Sequence, residues 1–290
     1  MKVAYCVICH KRTKILDEMI NILGDDNDIF IHVDKKSNIK EFSDLSKKVT
    51  LIKDRVRVQW AGFSQVKATL KLLNYTNNNN YDYIFLLSGD CLPLKSSDSI
   101  KKFLIENNGK EFIGVVKNNN IEEEIEKRLK YNYSYIYFNK NKNNIVQKVI
   151  AIKEKYNLYT KNKYFKYLPK IYKGCNWIGI TGDFCSYIFQ YLDENPTYIK
   201  AFKKCIYGDE EFFQTIIMNS EYKKNIYKYE IENDDCSMAL RYIDWSTGPN
   251  YPRILDESDF IKIKDSNCLF GRKFNEKINI NEYRKMFIDY

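Results

Sequence analysis

The chain has 290 residues, 44% of them hydrophobic and 15% aromatic, with 47 basic and 38 acidic side chains and a net charge of +9. That length and apolar content suit one large domain or two small ones with a real core, and exclude a disordered chain. The positive balance leaves three partner classes open (nucleic acid, an anionic membrane surface, a phosphate-bearing substrate) beside the plain reading of a lysine-rich solvated surface.

Residues 2–9 read as a strand, and its "CVIC" has redox or zinc spacing. Residues three apart on a strand face opposite sides, however, and no second CxxC completes a metal site. The eight scattered cysteines therefore read as buried free thiols, which favours a reducing compartment. "KILDEMINIL" (14–23) has apolar positions 15, 16, 19, 20, 22 and 23 and stops at Gly24, the pattern of an amphipathic helix. Residues 28–34 form a strand ending in Asp34, 49–52 another, 63–73 a helix, and 81–90 an apolar strand running into Ser88, Gly89 and Asp90. A helix at 100–107 and a strand at 111–116 follow. This alternation implies a mixed, mostly parallel central sheet flanked by helices. Such sheets bind ligands at the carboxyl ends of their strands, where His10, Asp34 and Asp90 fall, and this points to a nucleotide site.

From 117 to 170 the pattern weakens into polar, Tyr-rich sequence with helices at 121–130 and 145–155, either an insert shaping a cleft or surface filler. Residues 172–181 return to strand, 182–192 and 209–219 to helix, and short strands and a basic tail close the chain. With no internal repeat or linker, residues 1–290 read as one domain: a nucleotide-binding half (1–116), a variable acceptor-side insert (117–170), and a catalytic and phosphate-binding half (171–290). No stretch approaches 18 apolar residues and the first residues lack a signal-peptide pattern, so a cytoplasmic protein is expected.

Three acids stand together in "YGDEEFFQTI" (207–216). On a helical wheel Phe212, Phe213, Ile216 and Ile217 form one apolar face, Glu211 points away from it into water, and Asp209 is the N-cap. Glu210 lies at the edge of that face, where partly apolar surroundings raise a carboxylate pKa as a general base requires. The plain alternative is a solvated helix start. Arg253, Arg272 and Lys273 are too far apart for one helix face. If the fold brings them together they suit a diphosphate, and otherwise they are scattered surface charge. The strand at 81–90 delivers a single acid, and the "DDND" at 25–28 reads as a turn, so no Asp-x-Asp stands at a strand end to hold a divalent metal. A bound diphosphate would then be neutralised by side-chain cations. Neither GxxxxGK[ST] nor GxGxxG is present, which argues against a P-loop ATPase, a kinase and a Rossmann dehydrogenase. Trp60, Trp177 and Trp245 suit either a sugar or base face or the core. His10 and His32 lie far from any nucleophile pattern.

The segments "AYCVICHKRTKILDEMINIL", "IFIHVDKKS", "VQWAGFSQVKATLKLL", "YDYIFLLSGDCLPLKS", "KGCNWIGIT", "YGDEEFFQTI", "LRYIDWS" and "YPRIL…CLFGRKF" follow one another in this order. Together they resemble the Branch family of glycosyltransferases, which includes core-2 and I-branching N-acetylglucosaminyltransferases and peptide O-xylosyltransferases, with bacterial members. The resemblance is weakest at 117–170. It implies a GT-A fold and inverting transfer from a UDP-sugar co-substrate, with no divalent metal and no other cofactor. By position it makes Glu210 the catalytic base and gives Arg253 and Lys273 to the UDP phosphates. Asp34 and Trp60 would stand beside the uridine, Asn176 and Trp177 would line the sugar and acceptor cleft, and Lys127 and Arg128 would form an acceptor-side basic pair. The reading of the residues themselves adds His10, Asp90 and Arg272 on the donor side and Trp245 on the acceptor side. Asn176 stands where the xylosyltransferases carry Asp, and the spacing near Arg253 differs from that of the animal enzymes. The sugar expected is N-acetylglucosamine or xylose, moved to the hydroxyl of a glycan or lipid-linked glycan in bacterial capsule or lipopolysaccharide synthesis. Peripheral association with the anionic inner face of the cytoplasmic membrane fits the charge. The alternatives are a basic nucleic-acid-binding protein, for which no motif exists and no nucleic-acid partner is expected, and an inactive UDP-sugar binder.

Overall fold

Periodicity in the first 116 residues becomes strand and helix much as it predicts. In the computed structural model, β1 (Val3–Cys9), α1 (Lys14–Leu23), β2 (Asp28–Val33), β3 (Thr50–Leu51), α2 (Ser64–Thr76), β4 (Tyr83–Ser88), β5 (Leu92–Pro93) and α3 (Ser97–Glu106) follow in order. The insert holds α4 (Glu122–Lys130), β6 (Tyr131–Asn132), α5 (Asn144–Lys155) and β7 (Thr160–Lys161). The rest of the chain adds β8 (Gly179–Thr181), α6 (Gly182–Glu194), α7 (Pro196–Phe202), α8 (Phe212–Met218), α9 (Asp235–Met238), β9 (Arg241–Ile243), α10 (Phe260–Asp265), β10 (Phe270–Arg272) and α11 (Ile280–Phe287). All residues are described except 78, 118–121, 139–143, 157, 249, 250 and 290, and the side chains of 122 and 135.

The central sheet has the order β3-β2-β1-β4-β8. All its pairings are parallel except β4 with β8. The mixed, mainly parallel α/β architecture expected of a GT-A enzyme is therefore present, and β8 places the last third of the chain in the same sheet as the first. Side chains alternate across β1. Val3, Tyr5, Val7 and Cys9 enter the core shared with α1, α10 and α11, while Ala4 and Cys6 enter the one shared with α2, α6 and α8. The "CVIC" thiols thus face opposite layers, and all eight cysteines are buried and free. Thr13 caps α1 by accepting from the Leu16 amide at 3.2 Å.

Three expectations fail for backbone reasons, and of the strand predicted at 172–181 only Gly179–Thr181 forms. The strand predicted at 111–116 is reduced to single bridges, Glu111 with Ile226 and Phe112 with Gly179. Its Glu111 amide donates to the Asn225 carbonyl at 2.9 Å and its Val116 amide to the Lys173 carbonyl at 2.7 Å, while in the crossing segment Gly174 donates to the Glu210 carbonyl at 2.8 Å. Gly114 and Gly174 allow this crossing, since a Cβ on Gly174 would stand 1.8 Å from the Gly114 oxygen. The helix predicted at 209–219 is broken. Gly208–Glu210 make one 3-10 turn, Glu211 leaves helical geometry at φ −121°, and α8 starts at Phe212.

A three-stranded sheet of order β5-β10-β9 carries Arg272 to the carboxyl edge of the main sheet. At that edge β1, β2 and β4 end abreast, with Cys9 beside Val33 and Ile8 beside Ser88.

Candidate active site

The abreast strand ends place His10, Asp34 and Asp90 together. Asp34 is buried, and its Oδ1 accepts from the Lys36 amide at 2.9 Å and the Val58 amide at 3.4 Å. Asp90 accepts from the Ser88 hydroxyl and lies 3.6 Å from Arg272 Nη2 and 3.4 Å from Lys273 Nζ. Burial pushes the Asp90 pKa up, but Arg272, Ser88 and Lys273 outweigh it and hold the carboxyl below its ordinary range. Desolvation lowers the His10 pKa, with Asp90 and Asp34 opposing it and Lys11 and Lys273 reinforcing it. Arg272 stacks on Trp177 with its guanidinium 4.7 Å from the ring centre, and its Nε is buried without a partner. A cationic end thus exists, built from Arg272 and Lys273 over one carboxylate.

The acid end is built around Arg128, carried in on α4. Its Nη1 lies 2.9 Å from Glu210 Oε2 and 3.5 Å from Glu211 Oε1, and its Nη2 lies 2.8 Å from Glu124. Lys173 approaches the same Glu210 oxygen at 3.5 Å. Both cations approach Glu210 through Oε2, and the side chain is one-third exposed, at 33%. The guanidinium of Arg128 also sits 5.1 Å from the Tyr207 ring centre, and Trp60 meets that ring edge-on at 5.3 Å. Tyr207 holds φ +58° and donates its amide to the carbonyl of Ala61, itself at φ +59°. Two non-glycine residues in the left-handed region, bonded to each other beside the acids, are the kind of backbone that functional sites retain.

The three acids differ from their expected roles. Asp209 caps no helix: its Oδ2 accepts from Gln65 Nε2 at 2.9 Å and Asn176 Nδ2 at 3.1 Å. Burial and the neighbouring Glu210 charge push its pKa to about 7. Glu211 does not point into water. It is fully buried, with Oε2 unpartnered, and burial drives its pKa well above the carboxylate range although Arg128 opposes the shift. The wheel failed because it ran one 3.6-residue period through 209–219, whereas a 3-10 turn advances three residues per turn and the break at Glu211 resets the phase.

Two stretches of chain join the ends. In the first, Asn176 bonds Asp209 while its neighbour Trp177 packs on Arg272. In the second, Val58 bonds Asp34 while Trp60, two residues on, packs on Tyr207. Of the other residues singled out from sequence, Lys127 is exposed beside the inward-facing Arg128, and Trp245 is exposed on the loop after β9. The Arg253 guanidinium does not join Arg272 and Lys273 in an open cationic set. Its Nε lies 3.0 Å from Asp259 and its Nη2 3.7 Å from Asp256. Its backbone is nearby, since Leu255 donates to the Lys273 carbonyl at 2.8 Å.

Sequence reasoning missed Gln65, Lys173, Tyr207 and Arg241. Arg241 is 1% exposed, donates to the Leu86 carbonyl at 3.0 Å, and packs 4.3 Å from the Phe270 ring centre. Its Nε and Nη1 have no partner, and burial lowers its pKa. Its place in "LRYIDWS" was the available signal; nothing there distinguished it from a surface arginine. A surface cavity of about 590 Å³ lined by Lys67, Lys71, Tyr75 and Phe189 includes none of the residues of either end.

The Core-2/I-branching enzyme profile matches residues 3–266, a span that contains the acid end and Asp90 and stops short of Arg272 and Lys273. The chain belongs to the Core-2/I-branching enzyme family. This makes it a glycosyltransferase, a sugar-transferring enzyme. No curated protein sequence matches it. Among solved structures, it is similar to a glucose-1-phosphate thymidylyltransferase from Bacillus anthracis in complex with sucrose, at 12% identity and TM-score 0.30, covering 65% of this chain and 75% of that one. It is also similar to mouse xyloside xylosyltransferase 1 in its apo form, at 9% identity and TM-score 0.33, covering 76% of this chain and 83% of that one.

Proposed function

We propose that this family member is an inverting glycosyltransferase that moves a sugar, N-acetylglucosamine or xylose, from a UDP-sugar to the hydroxyl of a glycan. The observation that carries the proposal is the pairing of neighbours: Asn176 holds the acid end through Asp209 while Trp177 packs on Arg272 of the cationic end. On this reading the base, next to Asp209 in the chain, and a cationic leaving-group site lie at the two sides of one short segment. In the reaction, Glu210 Oε1 takes the acceptor hydroxyl proton as the oxygen attacks the anomeric carbon. The bond from that carbon to the diphosphate breaks on the far side, and its electron pair leaves with UDP. Arg272 and Lys273 stabilise the charge that develops there.

Asp90 is already matched by these two cations, so a diphosphate arriving beside it meets positive side chains without a metal bridge. The proposal therefore includes metal independence. Asp34, His10 and Trp60 border the nucleoside side, and Asn176, Arg128, Lys127 and Trp245 the acceptor side. Arg253 contributes by exchanging Asp256 and Asp259 for a phosphate. The net charge of +9 suits a lipid-linked acceptor of bacterial surface polysaccharide synthesis at an anionic cytoplasmic membrane.

A thermal-shift screen against nucleotide-sugars in EDTA tests the donor. Stabilisation by a UDP-sugar is expected, and stabilisation appearing only with manganese contradicts metal independence. Glu210→Gln keeps that stabilisation and loses turnover by about 10²–10⁴-fold; a variant that still turns over assigns the base elsewhere.

A further inference from the structure

Helix α5 has two apolar sides, one buried and one exposed. Ile150 is buried against the body of the protein. Ile145, Val149, Ile152 and Tyr156 are 71%, 40%, 52% and 61% exposed. At 100° per residue these four lie within an arc of about 60°. Lys148 and Lys155 flank that arc on one side and Lys153 on the other, and the single acid, Glu154, lies on the opposite face. Leu158 and Tyr167, elsewhere in the same insert, are also exposed, and Lys166 sits over the Tyr167 ring.

We propose that this stripe docks the enzyme on an anionic lipid bilayer, with α5 in the plane of the interface. Apolar side chains enter the acyl boundary while lysines on both flanks meet acidic headgroups. Charge complementarity favours the bilayer over a second copy of the chain. Two identical stripes placed face to face would set lysines against lysines, on a protein that already carries +9. Among the described residues no helix is long and apolar enough to cross a membrane, so the stripe anchors without spanning. The insert that carries it also supplies Arg128 to the acid end. Strand β6, which follows α4, pairs with β7, which follows α5, at Tyr131 with Lys161. Docking therefore fixes the acceptor side of the site relative to the membrane. This deepens the membrane part of the proposed function, and its test reads lipid binding independently of catalysis.

The test is flotation of the full chain with vesicles containing phosphatidylglycerol and with vesicles of phosphatidylcholine alone, beside sedimentation of the lipid-free protein. The wild type is expected to float only with the acidic vesicles. Ile145→Ser/Ile152→Ser is expected to lower the bound fraction at least about tenfold at unchanged melting temperature, since both positions are solvated. Lys148→Gln/Lys155→Gln is expected to weaken binding and its salt dependence. A wild type that does not float, or an isoleucine variant that floats equally well, overturns the proposal. So does a lipid-free dimer that the isoleucine variant splits, because the stripe would then be covered by a second copy. Turnover of a soluble acceptor by a variant that no longer floats separates loss of docking from loss of the enzyme reading.

Discussion

Arg128 is held by Glu124, Glu210 and Glu211 at once, and these three contacts do different work. Glu124 is exposed, so its pair adds little. Glu211 is fully buried, and without Arg128 it must either carry an unpaired charge or take a proton. Arg128→Met is therefore expected to destabilise by about 3 kcal/mol at pH values high enough to ionise Glu211 in the wild type. The loss shrinks as pH falls and Glu211 keeps its proton in both proteins, and Arg128→Met/Glu211→Gln recovers most of it; urea titrations at two pH values measure this. A double variant as unstable as the single one would show that Arg128 acts through packing on Tyr207. The cluster of three adjacent acids was legible in sequence, but the wheel that put Glu210 at the edge of an apolar face does not run through the break at Glu211. The fate of the neighbours of Glu210 was not legible, because it depends on one φ angle at Glu211 and on partners 83 and 144 residues away, Arg128 and Gln65.

At the scale of elements, Glu111 couples the crossing segment to α6. Thr181 caps α6 by accepting from the Phe184 amide at 3.1 Å, and its hydroxyl and amide both donate to the buried Glu111 carboxyl, at 2.6 and 2.9 Å. Burial raises the Glu111 pKa from 4.5 to about 7 although these bonds oppose the shift. The folded chain thus keeps a proton that the unfolded chain gives up, and stability falls as pH rises from about 4.5 to 7. Glu111→Gln is expected to flatten that fall by up to about 3 kcal/mol, leaving the same-signed contribution of Asp209. An unchanged slope in denaturant titrations from pH 4.5 to 8 would contradict it. Gly174→Ala puts a Cβ 1.8 Å from the Gly114 oxygen and must displace the segment bearing Asn176 and Trp177. A loss of about 1–3 kcal/mol is expected, with weaker UDP binding as well; binding at wild-type strength would uncouple the segment from the site. Helices with clean periodicity, such as α1, α2 and α6, were legible because an apolar face alone fixes them. The extended stretches at 111–117 and 172–178 were not, because their amides bond across the chain and leave no local pattern.

For the whole molecule, the parallel sheet decides where chemistry can occur. Its strand ends gather His10, Asp34 and Asp90, the small sheet brings Arg272 and Lys273 above them, and the insert delivers Arg128 from another layer. Alternating strands and helices and the carboxyl-edge rule made the meeting of His10, Asp34 and Asp90 readable from sequence. The approach of Arg128 to the three acids was not readable from pattern, since 117–170 follows no fold-wide one. The central claim is that fixed cations, with no bound ion, receive the departing diphosphate. Its most direct test is calorimetric titration of UDP into protein stripped with EDTA, wild type beside Arg272→Ala/Lys273→Ala. The account predicts saturable binding by the metal-free wild type and a loss of affinity of at least about a hundredfold in the double variant. No binding by the wild type until manganese is added, or equal binding by the variant, would contradict it.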